Sequence, residues 1–191
     1  VSNRNQHAID EYFSGSRQAV DSTLRHCGYY IDGAVELIRT ACVARHHIYI
    51  IGNGGSAAMA QHFAAELVGY FSKGNKPLSA FALSTDTSFL TAWSNDVDFA
   101  DVFARQLEAH GCAGDVLIAI STSGASANVL RGLEVARRIG MRRIALLGRG
   151  ASKADVLADM TIHVDSSETP HIQEGHLIVL HAICHCLADL R

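Results

Sequence analysis

The chain has 191 residues, 48% of them hydrophobic and 18% charged, and its 16 Lys+Arg against 19 Asp+Glu give a net charge of -3. That length suits one domain of the usual size, roughly 100–200 residues, with a core of its own. The charge balance excludes a nucleic-acid binder that works by neutralising phosphates, and only 2 Pro with 16 Gly exclude a collagen-like or low-complexity chain.

No apolar run approaches the roughly 20 residues that span a bilayer, and the polar residues 1–19 lack the apolar stretch of a secretory signal. The 5 cysteines, Cys27, Cys42, Cys112, Cys184 and Cys186, are odd in number and show no C-x-x-C spacing. They read as reduced thiols, so a cytoplasmic protein is expected.

Residues 1–45 read as a helical arm and 46–191 as the body of a single domain. Within the arm, Ile9, Tyr12, Phe13, Val20 and Leu24 mark one amphipathic helix. Ile31, Val35, Leu37 and Ile38 mark a second, with the break near Gly28 and a weak point at Gly33. These helices cannot bury their apolar faces alone, so they are expected to pack on the sheet or on another subunit.

A β-branched and aromatic run at 47–51 then leads into Gly52-Asn53-Gly54-Gly55-Ser56 and a helix over 56–68, with Ser56 as its expected cap. A short strand at 78–83, helices over 85–93 and 99–110, and a strand at 115–120 follow. After Ser121-Thr122-Ser123-Gly124-Ala125-Ser126 come a helix over 128–139 closed by Gly140 and a strand at 143–147. A turn at 148–150, a strand at 160–164 and a helix over 172–190 complete the chain. Continuous apolar strands alternating with helices predict an α/β fold, its parallel sheet covered on both faces and its ligands at the strands' C-terminal ends.

Two strand-to-helix loops are rich in small residues. In Asn53-Gly54-Gly55-Ser56, glycine lets the backbone turn tightly and bring N–H groups to a ligand at a helix N-terminus. The loop 121–126 adds four hydroxyls in six residues, enough donors to hold a phosphate dianion without Lys or Arg. Either loop could equally be an ordinary turn with a capping serine. Neither is a P-loop or a G-x-G-x-x-G fingerprint. Hydroxyl density favours a sugar phosphate over a nucleotide.

His62 and Glu66 stand four residues apart, so they share one helix face and can meet one ion or substrate; a solvated surface pair is the plainer alternative. The last helix carries Gln173, Glu174, His176, His181 and His185. Gln173 and His181 are about 12 Å apart along an ideal helix, and spacing alone does not pair them. Cys184-His185-Cys186 points three ways on a helix and reads as packing, and His46-His47 reads as part of a turn.

Five motifs in order resemble the phosphoheptose isomerases, enzymes of the sugar-isomerase (SIS) domain group. They are Gly52-Asn53-Gly54-Gly55-Ser56, Gln61-His62-Phe63-Ala64-Ala65-Glu66-Leu67, Asn95-Asp96, the hydroxyl loop at 121–126, and Ile172-Gln173-Glu174 with His181. The resemblance spans roughly residues 45–190 and implies a three-layer α-β-α sandwich with a five-stranded parallel sheet. It also implies a homotetramer with active sites at subunit interfaces, and a phosphorylated seven-carbon sugar as substrate, with no nucleic-acid or membrane partner.

The same resemblance implies one zinc per subunit on His62, Glu66, Gln173 and His181. It implies substrate contacts from Asn53, Gly54, Gly55, Ser56, Glu66, Asn95, Asp96, Ser121, Thr122, Ser123, Ser126 and Gln173, and catalytic roles for Glu66 and His181. Interfacial sites would ease the long spacing from Gln173 to His181. Ala125, Tyr70 and His171 stand where the family commonly has Asn, Arg and Arg.

The reaction so implied converts D-sedoheptulose 7-phosphate to D-glycero-D-manno-heptose 7-phosphate, the first step of heptose supply for surface glycans. An aldose–ketose isomerisation needs a base between C1 and C2, an acid at the oxygens and stabilisation of the enediolate. Three readings compete. A non-catalytic SIS regulator that binds a partner protein would lack counterparts of Glu66 and His181; an isomerase of another phosphosugar would be signalled by Tyr70, Ala125 and His171. A sugar-phosphate-sensing domain would need the loops but not the Glu66 and His181 chemistry.

Overall fold

The computed structural model describes residues 3–69, 71, 76–188 and 190. It opens with α1 (Asn3–Val43), followed by β1 (Ile48–Gly52), α2 (Gly55–Val68), β2 (Ala80–Ala82) and α3 (Thr87–Asp96). A 3-10 turn at Phe99–Asp101 leads into α4 (Val102–His110), then β3 (Val116–Ser121), α5 (Ala127–Ile139), β4 (Arg142–Leu147), α6 (Lys153–Leu157), β5 (Met160–His163) and α7 (Thr169–Leu187).

The strands pair in parallel in the order β2-β1-β3-β4-β5, the five-stranded parallel sheet that the family resemblance implies. Their side chains alternate between two cores, as a period of two requires. Ile48, Ile50, Val116, Ile118, Ile120, Ile144 and Leu146 face α1, α2 and α7. Tyr49, Ile51, Leu117, Ala119, Ala145 and Leu147 face α4 and α5. Helices thus cover both faces, and the strands read as unbroken apolar runs for that reason.

The sheet order reverses between β1 and β3. Chain leaving β1 crosses to one side and chain leaving β3 to the other, so a crevice opens beyond their C-terminal ends. Residues 53–54 and 122–126 flank it, because Gly52 pairs with Ile120 at the last rung.

Several elements differ from expectation. The arm is one helix of 41 residues, about 60 Å long, with no break at Gly28. A helical glycine costs only about 1 kcal/mol relative to alanine, and the buried face of Cys27, Ala34, Val35 and Ile38 outweighs that cost. Gly33 marks a close approach: a Cβ there would stand 2.6 Å from Met160 Cε of β5. The strand at 78–83 shortens to three residues at the sheet edge, where Phe81 is 48% exposed.

Helix α6 is absent from the sequence reading, since five residues carry no period. Its signal was the capping box of Ser152 and Asp155, whose side chains each bond the other's end of the first turn. Helix α7 starts three residues early, with Pro170 in its first turn. On the opposite end of the sheet, buried Asp115 accepts the amides of His47 and Cys112 at 2.9 and 2.8 Å and faces His46 Nδ1 at 3.3 Å. The two histidines belong to a locked turn.

His176 ties α7 to β4. It is fully buried, and its Nε2 donates to the Leu147 carbonyl at 3.0 Å. Burial pulls its pKa down to about 4, so the folded ring stays neutral where an unfolded one, near 6.5, takes a proton. Between those values the unfolded chain binds more protons, and stability falls as pH falls. The shift corresponds to about 3 kcal/mol across that window. Urea unfolding at pH 7 and pH 4.5 is expected to show this loss in the wild type and most of it removed in His176→Gln; equal losses in both would contradict it.

Candidate active site

Chain enters α2 through Gly54, whose φ of 52° and ψ of -122° suit glycine. Gly54 is therefore the cap of α2, and it makes no side-chain cap bond. The expectation that Ser56 caps this helix is incorrect: the positive φ starts α2 earlier and draws Ser56, 4% exposed, into its first turn. Gly55 must also be small. A Cβ there would lie 2.5 Å from Gln173 Nε2, so the Gln173 side chain lies across the start of α2.

The second loop is built around Gly124, with φ of 60°. Its amide donates to Ser121 Oγ at 3.1 Å, and the Ala125 amide donates to Ser123 Oγ at 3.3 Å. Ser126 occupies the cap position of α5 but makes no side-chain cap bond. Its hydroxyl is therefore not committed to the helix, as the plainer reading of a capping serine requires.

Sequence reasoning missed the residue that joins the two loops. Asn53 and Asn128 exchange side-chain amide bonds, both at 2.8 Å, across 75 residues of sequence. Asn128 lies in the first turn of α5 and is 3% exposed. A polar residue there in an otherwise apolar helix face was the available signal.

Further along, α2 and α7 run side by side and bring His62, Glu66 and His181 together. The Nε2 atoms of His62 and His181 are 2.9 Å apart, and Glu66 Oε1 is 3.7 Å from His62 Nε2. One ligand atom from each of the three lies within 4.8 Å of the others. Two imidazoles and a carboxylate form a donor set that suits zinc. Cys184, one turn past His181, is not of this set: burial, aided by the Glu66 charge, pushes its thiol up to about 12, so it packs as a neutral side chain. His185 and Cys186 are exposed.

Gln173 lies toward the head of α2. It overlies Gly55, two helical turns before His181, or about 12 Å along α7. Asn95 and Asp96 lie exposed at the end of α3, with Asn95 Nδ2 donating to Asp96 Oδ1 at 2.8 Å. Of the residues that depart from the family pattern, Ala125 sits exposed in the hydroxyl loop, and His171 packs its ring 4.7 Å from that of Tyr12. Tyr70 lies outside the described residues.

The SIS domain family model matches residues 11–148. The phosphoheptose isomerase of Citrifermentans bemidjiense is 51% identical over 154 residues, 81% of this chain and 80% of that protein. That of Helicobacter pylori (strain Shi470) is 45% identical over 179 residues, 94% of this chain and 93% of the relative. The solved phosphoheptose isomerase of Neisseria gonorrhoeae superposes with a TM-score of 0.90 at 40% identity, covering 95% of this chain and 97% of that one. The chain belongs to the phosphoheptose isomerase family.

In this phosphoheptose isomerase fold, the hydroxyl loop is backed by a polar chain that the sequence did not reveal. Gly148 N–H donates to the Thr122 carbonyl at 3.1 Å and Ala154 N–H to the Gly124 carbonyl at 3.3 Å. Asp155 accepts the Ser152 amide and hydroxyl at 2.7 and 2.9 Å and faces His163 Nε2 at 2.8 Å. Burial works against the Asp155 charge, but these bonds outweigh it and hold the carboxyl below its usual range.

Proposed function

We propose that the protein interconverts D-sedoheptulose 7-phosphate and D-glycero-D-manno-heptose 7-phosphate in the cytoplasm, supplying heptose for surface glycans. The observation that carries this reading is the pairing of two chemistries on one helix. The start of α2 and the hydroxyl loop bonded to it through Asn53 and Asn128 suit a phosphate. His62 and Glu66 lie seven and eleven residues after Gly55 on that helix, the first of them about 10 Å away along the axis. An open-chain heptose phosphate is long enough to reach from one to the other.

Ser121, Thr122, Ser123 and Ser126, with Gly54 and Gly55 at the head of α2, hold the phosphate by hydroxyl and amide donors. Asn53, Ser56, Asn95, Asp96 and Gln173 contact the sugar chain. Glu66 takes the proton from C1 of the ketose and returns it to C2, through a 1,2-enediol. His181 carries the proton from O1 to O2, so the reaction is balanced in atoms and charge.

His62, Glu66 and His181, with Gln173 as a fourth ligand, hold one zinc per subunit. When bound, that ion supplies Lewis-acid polarisation of the carbonyl oxygen. With Gln173 over Gly55 and about 12 Å before His181 along α7, its place in the set is met most directly from a neighbouring subunit. The exposed apolar side chains of α1, among them Phe13 at 64%, Leu24 at 69% and Tyr29 at 82%, fit burial between subunits of a tetramer.

Incubation with sedoheptulose 7-phosphate is expected to yield the aldoheptose phosphate, with fructose 6-phosphate turned over at least about a hundredfold more slowly. Preference for fructose 6-phosphate would overturn the substrate assignment and leave the isomerase chemistry standing. Absence of turnover with any phosphosugar would favour a regulatory SIS protein.

A further inference from the structure

We propose that His163 is a positioning residue for the phosphate-binding loop, bracing it from behind through two separate arms. The proposal rests on the reading that loop 121–126 holds the substrate phosphate. His163 ends β5, far in sequence from the loop, and it lies outside every motif singled out in the sequence.

One arm runs through the sheet. His163 Nδ1 lies 2.8 Å from the Gly148 carbonyl, and the Gly148 amide holds the Thr122 carbonyl at 3.1 Å. Gly148 has to be glycine for this contact, because a Cβ would overlap the Thr122 oxygen. The other arm runs through α6. His163 Nε2 lies 2.8 Å from Asp155 Oδ1, while Asp155 Oδ2 binds the Ser152 amide and hydroxyl.

Ser152 in turn sits directly against Gly124, where a Cβ would overlap its hydroxyl, and the neighbouring Ala154 amide binds the Gly124 carbonyl. Thus both backbone bonds that back the loop, at Thr122 and at Gly124, come from segments that His163 ties together. A carbonyl faces one ring nitrogen and a carboxylate the other. No aliphatic side chain reaches either acceptor with a donor.

The loop needs such support. Gly124 holds a φ of 60°, and the loop's side chains are short, with Ser123 and Ala125 exposed. Donors that bind a phosphate well must be fixed before it arrives, since ordering them on binding weakens affinity. His163 touches no reacting atom, so its loss should weaken ground-state binding of the phosphate while leaving the proton transfers intact. This separates positioning from catalysis.

The test measures kcat and KM for sedoheptulose 7-phosphate, with inorganic phosphate as competitive inhibitor, in wild type, His163→Ala, Ser152→Ala and Ser123→Ala. We expect KM and the phosphate inhibition constant to rise together about tenfold in His163→Ala and about threefold in Ser152→Ala, with kcat within threefold of wild type. Ser123→Ala is the reference for direct loss of a phosphate donor. If His163→Ala does not fold, as judged by circular dichroism, Asp155→Asn takes its place.

Unchanged KM and phosphate inhibition in folded His163→Ala and Ser152→Ala, with Ser123→Ala weakened, would overturn the bracing role alone. A fall in kcat at unchanged KM would overturn it too. If Ser123→Ala itself binds phosphate as wild type does, the reading of the loop as the phosphate site fails, and the bracing role fails with it.

Discussion

Glu66→Gln lowers kcat for the heptose phosphate by about a thousandfold with KM little changed, the loss expected when a general base is removed. Glutamine has the shape of glutamate and leaves the α2 backbone and the His62 contact geometry in place, but it cannot accept a proton from carbon. Glu66 is suited to the role by position: it lies half-buried, 3.7 Å from His62 and in reach of His181, on the helix whose N-terminus faces the hydroxyl loop. Initial rates at saturating zinc check this result. Near-normal turnover would remove Glu66 as the proton carrier and return the pair His62 and Glu66 to a solvated surface contact.

Thorough chelation lowers turnover by about two orders of magnitude, in keeping with the several kcal/mol that a Lewis acid contributes to carbonyl polarisation. Stoichiometric zinc restores it. The warrant is the trio itself. Two imidazole nitrogens at 2.9 Å can share one proton or direct both lone pairs at one cation, and a carboxylate stands beside them. His62→Ala should reproduce the chelated rate and respond weakly to added zinc. Full activity in metal-free protein would contradict the metal assignment and leave Glu66 and His181 as the whole catalytic pair.

The sheet was legible because strands buried on both faces must be apolar throughout, as in Ile48 to Ile51 and Val116 to Ile120. The two loops were legible because each joins a strand to a helix at the crevice where the sheet order reverses. Helix ends were less so. Gly28 looks like a break only while α7 and β5 are out of view, and Ser56 looks like a cap only until Gly54 takes a positive φ.

The site divides along the same line. His62 and Glu66 are neighbours on one helix and share a face by periodicity. His181 joins them from another helix, 119 residues away from His62, and only the family resemblance pointed to it. The pairs Asn53–Asn128 and Asp155–His163 are tertiary contacts; local pattern marks Asn53, Asn128 and Asp155 singly, but nothing in the linear sequence pairs either residue with its partner. Gln173 shows the converse. Its motif was legible, and within one chain its side chain lies over Gly55, about two turns before His181 on α7.

The most direct measurement is a crystal structure of Glu66→Gln with sedoheptulose 7-phosphate bound. The account predicts the phosphate within hydrogen-bond distance of the hydroxyls of residues 121–126 and the head of α2, with C1 and C2 beside residue 66 and His181 of the same or the adjoining subunit. A phosphate seated elsewhere, or a carbonyl end remote from residue 66 and His181 in every subunit, would contradict it.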